Sequence, residues 1–266
     1  YFAEIRSEEE MHEALCCCQR EGIPFLIVGK GSNSLFDDAG FSGAVLLNRI
    51  DFCHWNEKEV RVGAGFSFSY LGMLAAKKDL SGLEFASGIP ATVGGAIWMN
   101  AGAQGQETSE TLTAVRFLHS EGEMREFVKE ELHFGYRTSS FQSMPGAIVS
   151  ATFKLSPLHS ARQTQLKLLE KRKATQPLQE KSAGCIFRNP GVGLSAGALI
   201  EKSGLKGVFV GGAFVSELHA NFIVNRLNAT SCDVKELIAV IRKKVYEETG
   251  VHLETEIRVV GHGISS

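Results

Sequence analysis

The stretch Ser87-Gly-Ile-Pro-Ala-Thr-Val-Gly-Gly-Ala-Ile-Trp-Met-Asn-Ala-Gly102 limits what this chain can become. It is too rich in glycine to be helical throughout and too apolar to be a surface loop. Pro90 fixes one backbone angle, while the adjacent Gly94 and Gly95 let main chain come close to another group. A buried helix start with proline in its first turn accounts for part of the pattern. A close approach to a ligand accounts for the paired glycines. Glycine is in excess along the whole chain, at 28 of 266 residues, where about 7% is usual. Proline numbers only 6, so these glycines do not form a flexible linker, and they lack the three-residue period of collagen.

Nearer the start, Gly29-Lys-Gly-Ser-Asn33 follows directly on the apolar run Phe25–Val28. Successive N–H groups in such a turn form a donor array for phosphate oxygens, and Ser32 and Asn33 add side-chain donors. A ligand-free β-turn is an equal reading of this segment alone. Ser34 stands where a dinucleotide fingerprint wants a third glycine, and no Lys-Ser/Thr pair closes a Walker A loop. Two phosphate-type loops in one chain of net charge −2 point to a single long, diphosphate-bearing cofactor.

That near-neutral charge leaves no electrostatic footprint for nucleic acid or an anionic membrane. The longest apolar runs, such as Phe25–Val28 and 44–47, fall far short of a membrane span. Six cysteines include the neighbours Cys16, Cys17 and Cys18, which cannot readily pair, and no two C-x-x-C pairs stand ready for zinc. The expectation is a soluble, cytoplasmic, monomeric protein with no metal and no membrane insertion. No signal peptide is visible, and the opening Tyr1-Phe2 in place of Met predicts a natural N-terminus that is missing or processed.

Periodicity predicts helices from about Glu8 to Arg20, Phe68 to Lys78, Leu158 to Thr175, Leu194 to Ser203 and Asp233 to Thr249. Strands are expected at Phe25–Val28, Ala44–Asn48, 60–64, 114–119, 123–127, 148–155, 208–209, 222–224 and 256–260. This is an α+β chain in three parts, at 1–56, 57–157 and 158–266. The charged, glycine-poor stretch 158–175 is the best candidate for a domain boundary.

Six segments occur in a specific order: Gly29–Asn33, Gly88–Ala96, Met99-Asn-Ala-Gly-Ala103, Tyr136-Arg-Thr-Ser-Ser-Phe141, Ser182-Ala-Gly-Cys-Ile-Phe-Arg-Asn-Pro190 and His219-Ala-Asn-Phe-Ile-Val-Asn225. In this the chain resembles the UDP-N-acetylenolpyruvoylglucosamine reductases (UDP-N-acetylmuramate dehydrogenases) from Tyr1 to about Gly261. The resemblance implies a two-part FAD-binding region of the vanillyl-alcohol-oxidase type, followed by a smaller α+β substrate-binding domain whose last strand packs back on the first part. It also implies NADPH as electron donor, a UDP-sugar substrate and a place in peptidoglycan synthesis. FAD would be held by Gly29, Lys30, Gly31, Ser32, Asn33 and Ser34, and by Gly88, Ile89, Pro90, Thr92, Gly94, Gly95 and Ala96. Lys30 and Ala91 depart from the family, which commonly has glycine at both positions. The short interval from Arg137 to Cys185 resembles the subclass that lacks a long tyrosine-bearing substrate loop.

Three residues carry the chemistry that the resemblance implies. Reduction of an enolpyruvyl ether builds negative charge at C2, so it needs a cation at the carboxylate and an acid near C2. Arg137 alone reads as a surface arginine in a turn; the resemblance makes it the cation, with a planar fork for the carboxylate. Cys185 follows Gly184, and a thiol of pKa about 8.5 is a far stronger acid than an aliphatic hydroxyl. Cys17, Cys53 and Cys232 read instead as small buried apolar residues. Alternation places Glu254, Glu256 and Arg258 on one strand face, which is either solvated or functional. The resemblance selects Glu256, as a desolvated carboxyl assisting the acid. For the substrate it suggests Asn189, Lys206, Ser216, His219 and Asn221, although His219 reads equally as a structural histidine. A flavin oxidase of the same fold and a non-catalytic nucleotide-binding module stand as alternatives.

Overall fold

Ser7 opens the first helix, α1 (Glu8–Arg20), with its hydroxyl accepting from Glu10 N at 3.1 Å and three glutamates in the first turn. Such a cap satisfies an orphan amide, and acids there complement the helix dipole. Met11, Leu15 and Cys18 form its buried stripe, at the i, i+4, i+7 spacing of an amphipathic helix. The helix connects strand Phe2–Ile5 to strand Phe25–Val28. Both flank Ala44–Asn48 in a parallel three-stranded sheet, with Ile5 opposite Asn48 and Val28 opposite Leu47.

The computed structural model describes residues 1–191 and 193–261, and it separates into two units. The first comprises Tyr1–Lys30 and Gly43–Lys171; the second comprises Gly31–Ser42 and the chain from Arg172 onward. The boundary therefore falls inside helix α4 (Ala161–Thr175), within the glycine-poor stretch.

Besides the parallel sheet, the first unit holds an antiparallel five-stranded sheet in the order Met124–Val128, Leu112–His119, Gly146–Lys154, Glu59–Gly63, Cys53–Asn56. Residues 147–151 of its central strand are all buried, as expected where both faces are covered. Ala147 and Val149 join Met11 and Leu15 of α1 in one core. Ile148, Ala151 and Phe153 join a second, with Phe68 and Leu71 of α2 (Phe68–Lys77) and Val93 and Ile97 of α3 (Val93–Trp98). Within the glycine-rich stretch, then, only six residues are helical.

The second unit is built on an antiparallel sheet ordered Ser182–Cys185, Phe222–Asn225, Ala213–Val215, Phe209–Val210. Helix α5 (Ala196–Lys202) and helix α6 (Ser231–Thr249) share a third core with it, through Ile200, Leu237, Ile241 and Val245. Thr230 and Asp233 cap α6 reciprocally, and left-handed Gly250 ends it at φ 69°. Asp38 accepts from both the amide and the hydroxyl of Ser231, at 2.7 and 2.9 Å, and Lys235 pairs with Asp37. These contacts fasten Gly31–Ser42 to the start of α6. The final strand, Arg258–Val260, lies parallel to Ser34–Phe36.

Two expectations change. The last strand begins at 258, not 256. Cys17 and Cys232 are exposed and Cys53 half-buried, so the small buried residue is Cys18 instead. Among the described residues, no helix is long and apolar enough to cross a membrane.

Candidate functional site

The two glycine loops meet in the first unit through Gly29. A β-carbon at that position would overlap Thr92 Oγ1, so only glycine lets the first loop begin there. Thr92 in turn caps α3, its hydroxyl accepting from Gly95 N at 3.2 Å. Gly94 sits so close to Ala64 that a β-carbon would lie 3.0 Å from the alanine methyl. Gly88, left-handed at φ 89°, donates its N–H to Ser69 Oγ at 2.7 Å. Lys30 extends from this junction, and its ammonium donates to Ser67 Oγ at 2.9 Å. Burial, and then the Arg49 charge, push its pKa down. Among the described residues no carboxylate pairs with Lys30.

In the second unit the first loop continues as Gly31, left-handed at φ 68°, to Ser34. Asn33 Nδ2 donates to the Glu256 carbonyl at 3.2 Å, and Arg258 N donates to the Asn33 carbonyl at 2.9 Å. Glu256 N donates to the Ile186 carbonyl at 2.7 Å, and Arg188 N to the Glu254 carbonyl at 2.9 Å. Residues 254–256 thus run beside 186–188, immediately after Cys185. Gly184, at φ 77°, makes the kink that presents Cys185, and a β-carbon there would lie 3.6 Å from the Ser32 carbonyl. Ser32, Asn33, Cys185 and Glu256 are therefore brought together, the last two half-buried. The expected regular alternation of Glu254, Glu256 and Arg258 does not occur. The chain changes partner between 256 and 258, from the 186–188 segment to Ser34–Phe36.

The residues expected to hold substrate divide by burial. Asn189 is exposed, its Oδ1 accepting from Ala196 N at 3.0 Å. Lys206 pairs with Glu201 at 2.6 Å. His219 is half-buried, its Nδ1 accepting from Asn221 N at 3.3 Å and its ring standing edge-on to Phe222. Burial pushes its pKa down, which favours neutral imidazole with the proton on Nε2. Ser216 is wholly buried, its hydroxyl accepting from Leu218 N and His219 N. Asn221, also buried, spends its amide on the main chain of Phe187, at 3.0 and 2.8 Å. Those two hold backbone, and Asn221 specifically steadies the residues that follow Cys185.

Arg137 belongs to the first unit, at the turn of the hairpin joining Phe134–Gly135 to Thr138–Ser139. Its φ is +58°, unusual for a residue with a long side chain. Its guanidinium donates to the Gly102 carbonyl at 3.2 Å and lies 5.1 Å from the centre of the Tyr136 ring. Backbone strain of this sort persists only where the surroundings enforce it, and it gathers at functional sites. Sequence reasoning missed the residues that do the enforcing, Asn100 and Gln142. Their side chains bond main-chain carbonyls, which leave no pattern in the sequence.

Comparison with known proteins bears on this arrangement. Residues 1–127 match the FAD binding domain family, and residues 176–260 match the C-terminal domain of UDP-N-acetylenolpyruvoylglucosamine reductase. The UDP-N-acetylenolpyruvoylglucosamine reductase of Protochlamydia amoebophila (strain UWE25) is 53% identical over 266 residues, which is 100% of this chain and 89% of the relative. The chain belongs to the UDP-N-acetylenolpyruvoylglucosamine reductase family. The reductase of Chlamydia felis (strain Fe/C-56) is 47% identical over 261 residues, covering 98% of this chain and 88% of that one. The crystal structure of the Thermus caldophilus reductase matches with a TM-score of 0.83 at 38% identity, over 97% of this chain and 91% of its own.

As a family member the chain is an FAD-dependent oxidoreductase with an FAD-binding region followed by the family's C-terminal domain. The residues fit that cofactor. Lys30 is an exposed cation near a second cation, Arg49, and donates to the Ser67 hydroxyl, while among the described residues no carboxylate pairs with it. A diphosphate would supply the missing counter-charge. Lys30→Met is accordingly expected to weaken FAD binding about tenfold and flatten its salt dependence, leaving riboflavin binding unchanged. Titration of apoprotein with each flavin at two salt concentrations checks this, and equal loss for both flavins would point to a damaged loop.

Proposed function

We propose that this chain reduces the enolpyruvyl ether of UDP-N-acetylglucosamine enolpyruvate to UDP-N-acetylmuramate with NADPH, as a cytoplasmic monomer. FAD, when bound, supplies the hydride chemistry. Gly29–Ser34 and the Gly88–Ala96 loop hold it by close main-chain approach, with Thr92 and Lys30 contributing side chains. Each unit's share of the remaining work follows from the chemistry of its residues.

Reduction places a hydride on C3 of the enolpyruvyl group, and the electron pair of the double bond moves toward C2 and the attached carboxylate. Arg137 holds that carboxylate in a planar two-pronged grip and offsets the charge as it grows. Cys185 delivers its Sγ proton to C2, and the thiolate then recovers a proton from water. Glu256, half-buried next to it, assists that proton transfer. Asn189, Lys206 and His219 contact the sugar nucleotide, with Ser216 and Asn221 holding the main chain around His219 and Phe187. For a three-part division at 1–56, 57–157 and 158–266 the support is the three hydrophobic cores, although residues 118, 147 and 149 join the first, Leu168 the second and Leu35 the third, and the chain separates into two compact units.

The observation carrying this reading is the ladder in which Asn33 of the cofactor loop bonds Glu256, and Glu256 bonds the residue after Cys185. It supports the reading because Asn33, Glu256 and the residue after Cys185 are successive neighbours in that ladder. The test is product analysis: flavin-loaded protein should consume one NADPH for each UDP-N-acetylmuramate formed. Oxidation of simple alcohols by oxygen, with the enolpyruvyl nucleotide untouched, would overturn it.

A further inference from the structure

We infer that Gln142 is a positioning residue for Arg137, holding it by its main chain in the left-handed turn that aims the guanidinium. The inference rests on the proposed role of Arg137 at the substrate carboxylate.

A two-residue turn whose second position has φ +58° suits glycine or asparagine, and arginine occupies it here. Something outside the turn must hold it. Gln142 Nε2 carries two hydrogens and meets two carbonyls, Arg137 at 3.1 Å and Trp98 at 2.9 Å. One amide group therefore joins the strained residue to the end of α3. Ser139 Oγ donates to the same Trp98 carbonyl at 2.8 Å. Buried Asn100, itself left-handed at φ +42°, donates to the Gly135 carbonyl at 3.1 Å and to Glu107 at 2.8 Å. The hairpin is thus docked at several points along Trp98–Gly102, where α3 ends, and α3 is capped at its start by Thr92 of the second glycine loop.

Among these contacts, Gln142 is the side chain that bonds the Arg137 carbonyl itself. Its own place is secured by Phe141, which is buried and stacked on Phe117. A side chain that fixes a left-handed arginine against the cofactor-loop helix sets where the guanidinium sits, and small misplacements of a charged group are costly to rate.

Gln142→Leu keeps the size and removes both donors. In rapid kinetics it should slow the step with the enolpyruvyl nucleotide about tenfold, leaving flavin reduction by NADPH and flavin affinity unchanged. In an Arg137→Ala background the same substitution should add nothing, because the group being positioned is gone. Equal slowing of both half-reactions, the same tenfold loss on top of Arg137→Ala, or no loss at all would overturn the inference. An Arg137→Ala protein of full activity would instead overturn the role of Arg137 itself. Gln142→Met, equally long and without donors, carries the same test should the leucine variant not fold.

Discussion

Replacing Cys185 by alanine is expected to slow reduction of the enolpyruvyl nucleotide by about 10²–10⁴, the usual worth of a positioned acid. Flavin reduction by NADPH should be nearly unaffected. The separation follows from where the residue sits. Cys185 stands at the end of strand Ser182–Cys185, after the Gly184 kink, and its segment runs beside Glu256. Cys185→Ser should recover part of the rate, since a hydroxyl keeps a proton in place but is the weaker acid. Single-turnover absorbance of each half-reaction measures both effects. Equal loss in the two would remove the proton-donor role.

The second large effect is at Arg137. Arg137→Ala should cost about 10²–10³ in the same half-reaction, comparable to removing a charge-stabilising donor elsewhere, and should raise the KM for the enolpyruvyl nucleotide. Arg137→Lys is expected to recover little. Lysine restores the charge but not the planar fork, and it cannot make two parallel bonds to one carboxylate. The backbone argument gives a further check. Because residue 137 is left-handed, both replacements keep the strain that arginine already bears, so their losses report on the guanidinium and not on a relaxed turn. A lysine variant with full activity would show that charge alone suffices.

Much of the fold is legible in local sequence. Ser7, the three glutamates and the spacing of Met11, Leu15 and Cys18 announce α1, and Gly22 at φ 63° follows its end. The central strand 146–154 is legible as an apolar run, since both its faces are covered. Sequence reasoning stops where partners are distant. Glu256 lies where local alternation predicts strand, yet the chain there pairs first with 186–188 and then with Ser34–Phe36. Nothing in residues 253–260 encodes that exchange.

The candidate site divides in the same way. The glycine loops are readable because their constraint is local: Gly29 must lack a β-carbon where Thr92 meets it. Ser216 and Asn221 look like ligand contacts by residue type, but burial commits them to main-chain groups, as buried polar atoms require. Asn100 and Gln142 carry no signal for the opposite reason. Their partners are carbonyl oxygens, which every residue possesses. Lys30 is an intermediate case, visible as a departure from glycine and explained only by its place at Ser67, without a carboxylate.

The central claim is that one FAD on this chain carries reducing equivalents from NADPH to an enolpyruvyl sugar nucleotide. An anaerobic spectral titration of the flavin-loaded protein tests it most directly. The account predicts that NADPH bleaches the flavin band and that one equivalent of UDP-N-acetylglucosamine enolpyruvate restores it. A band that bleaches and then stays bleached with that nucleotide, returning only on admission of oxygen, would contradict it.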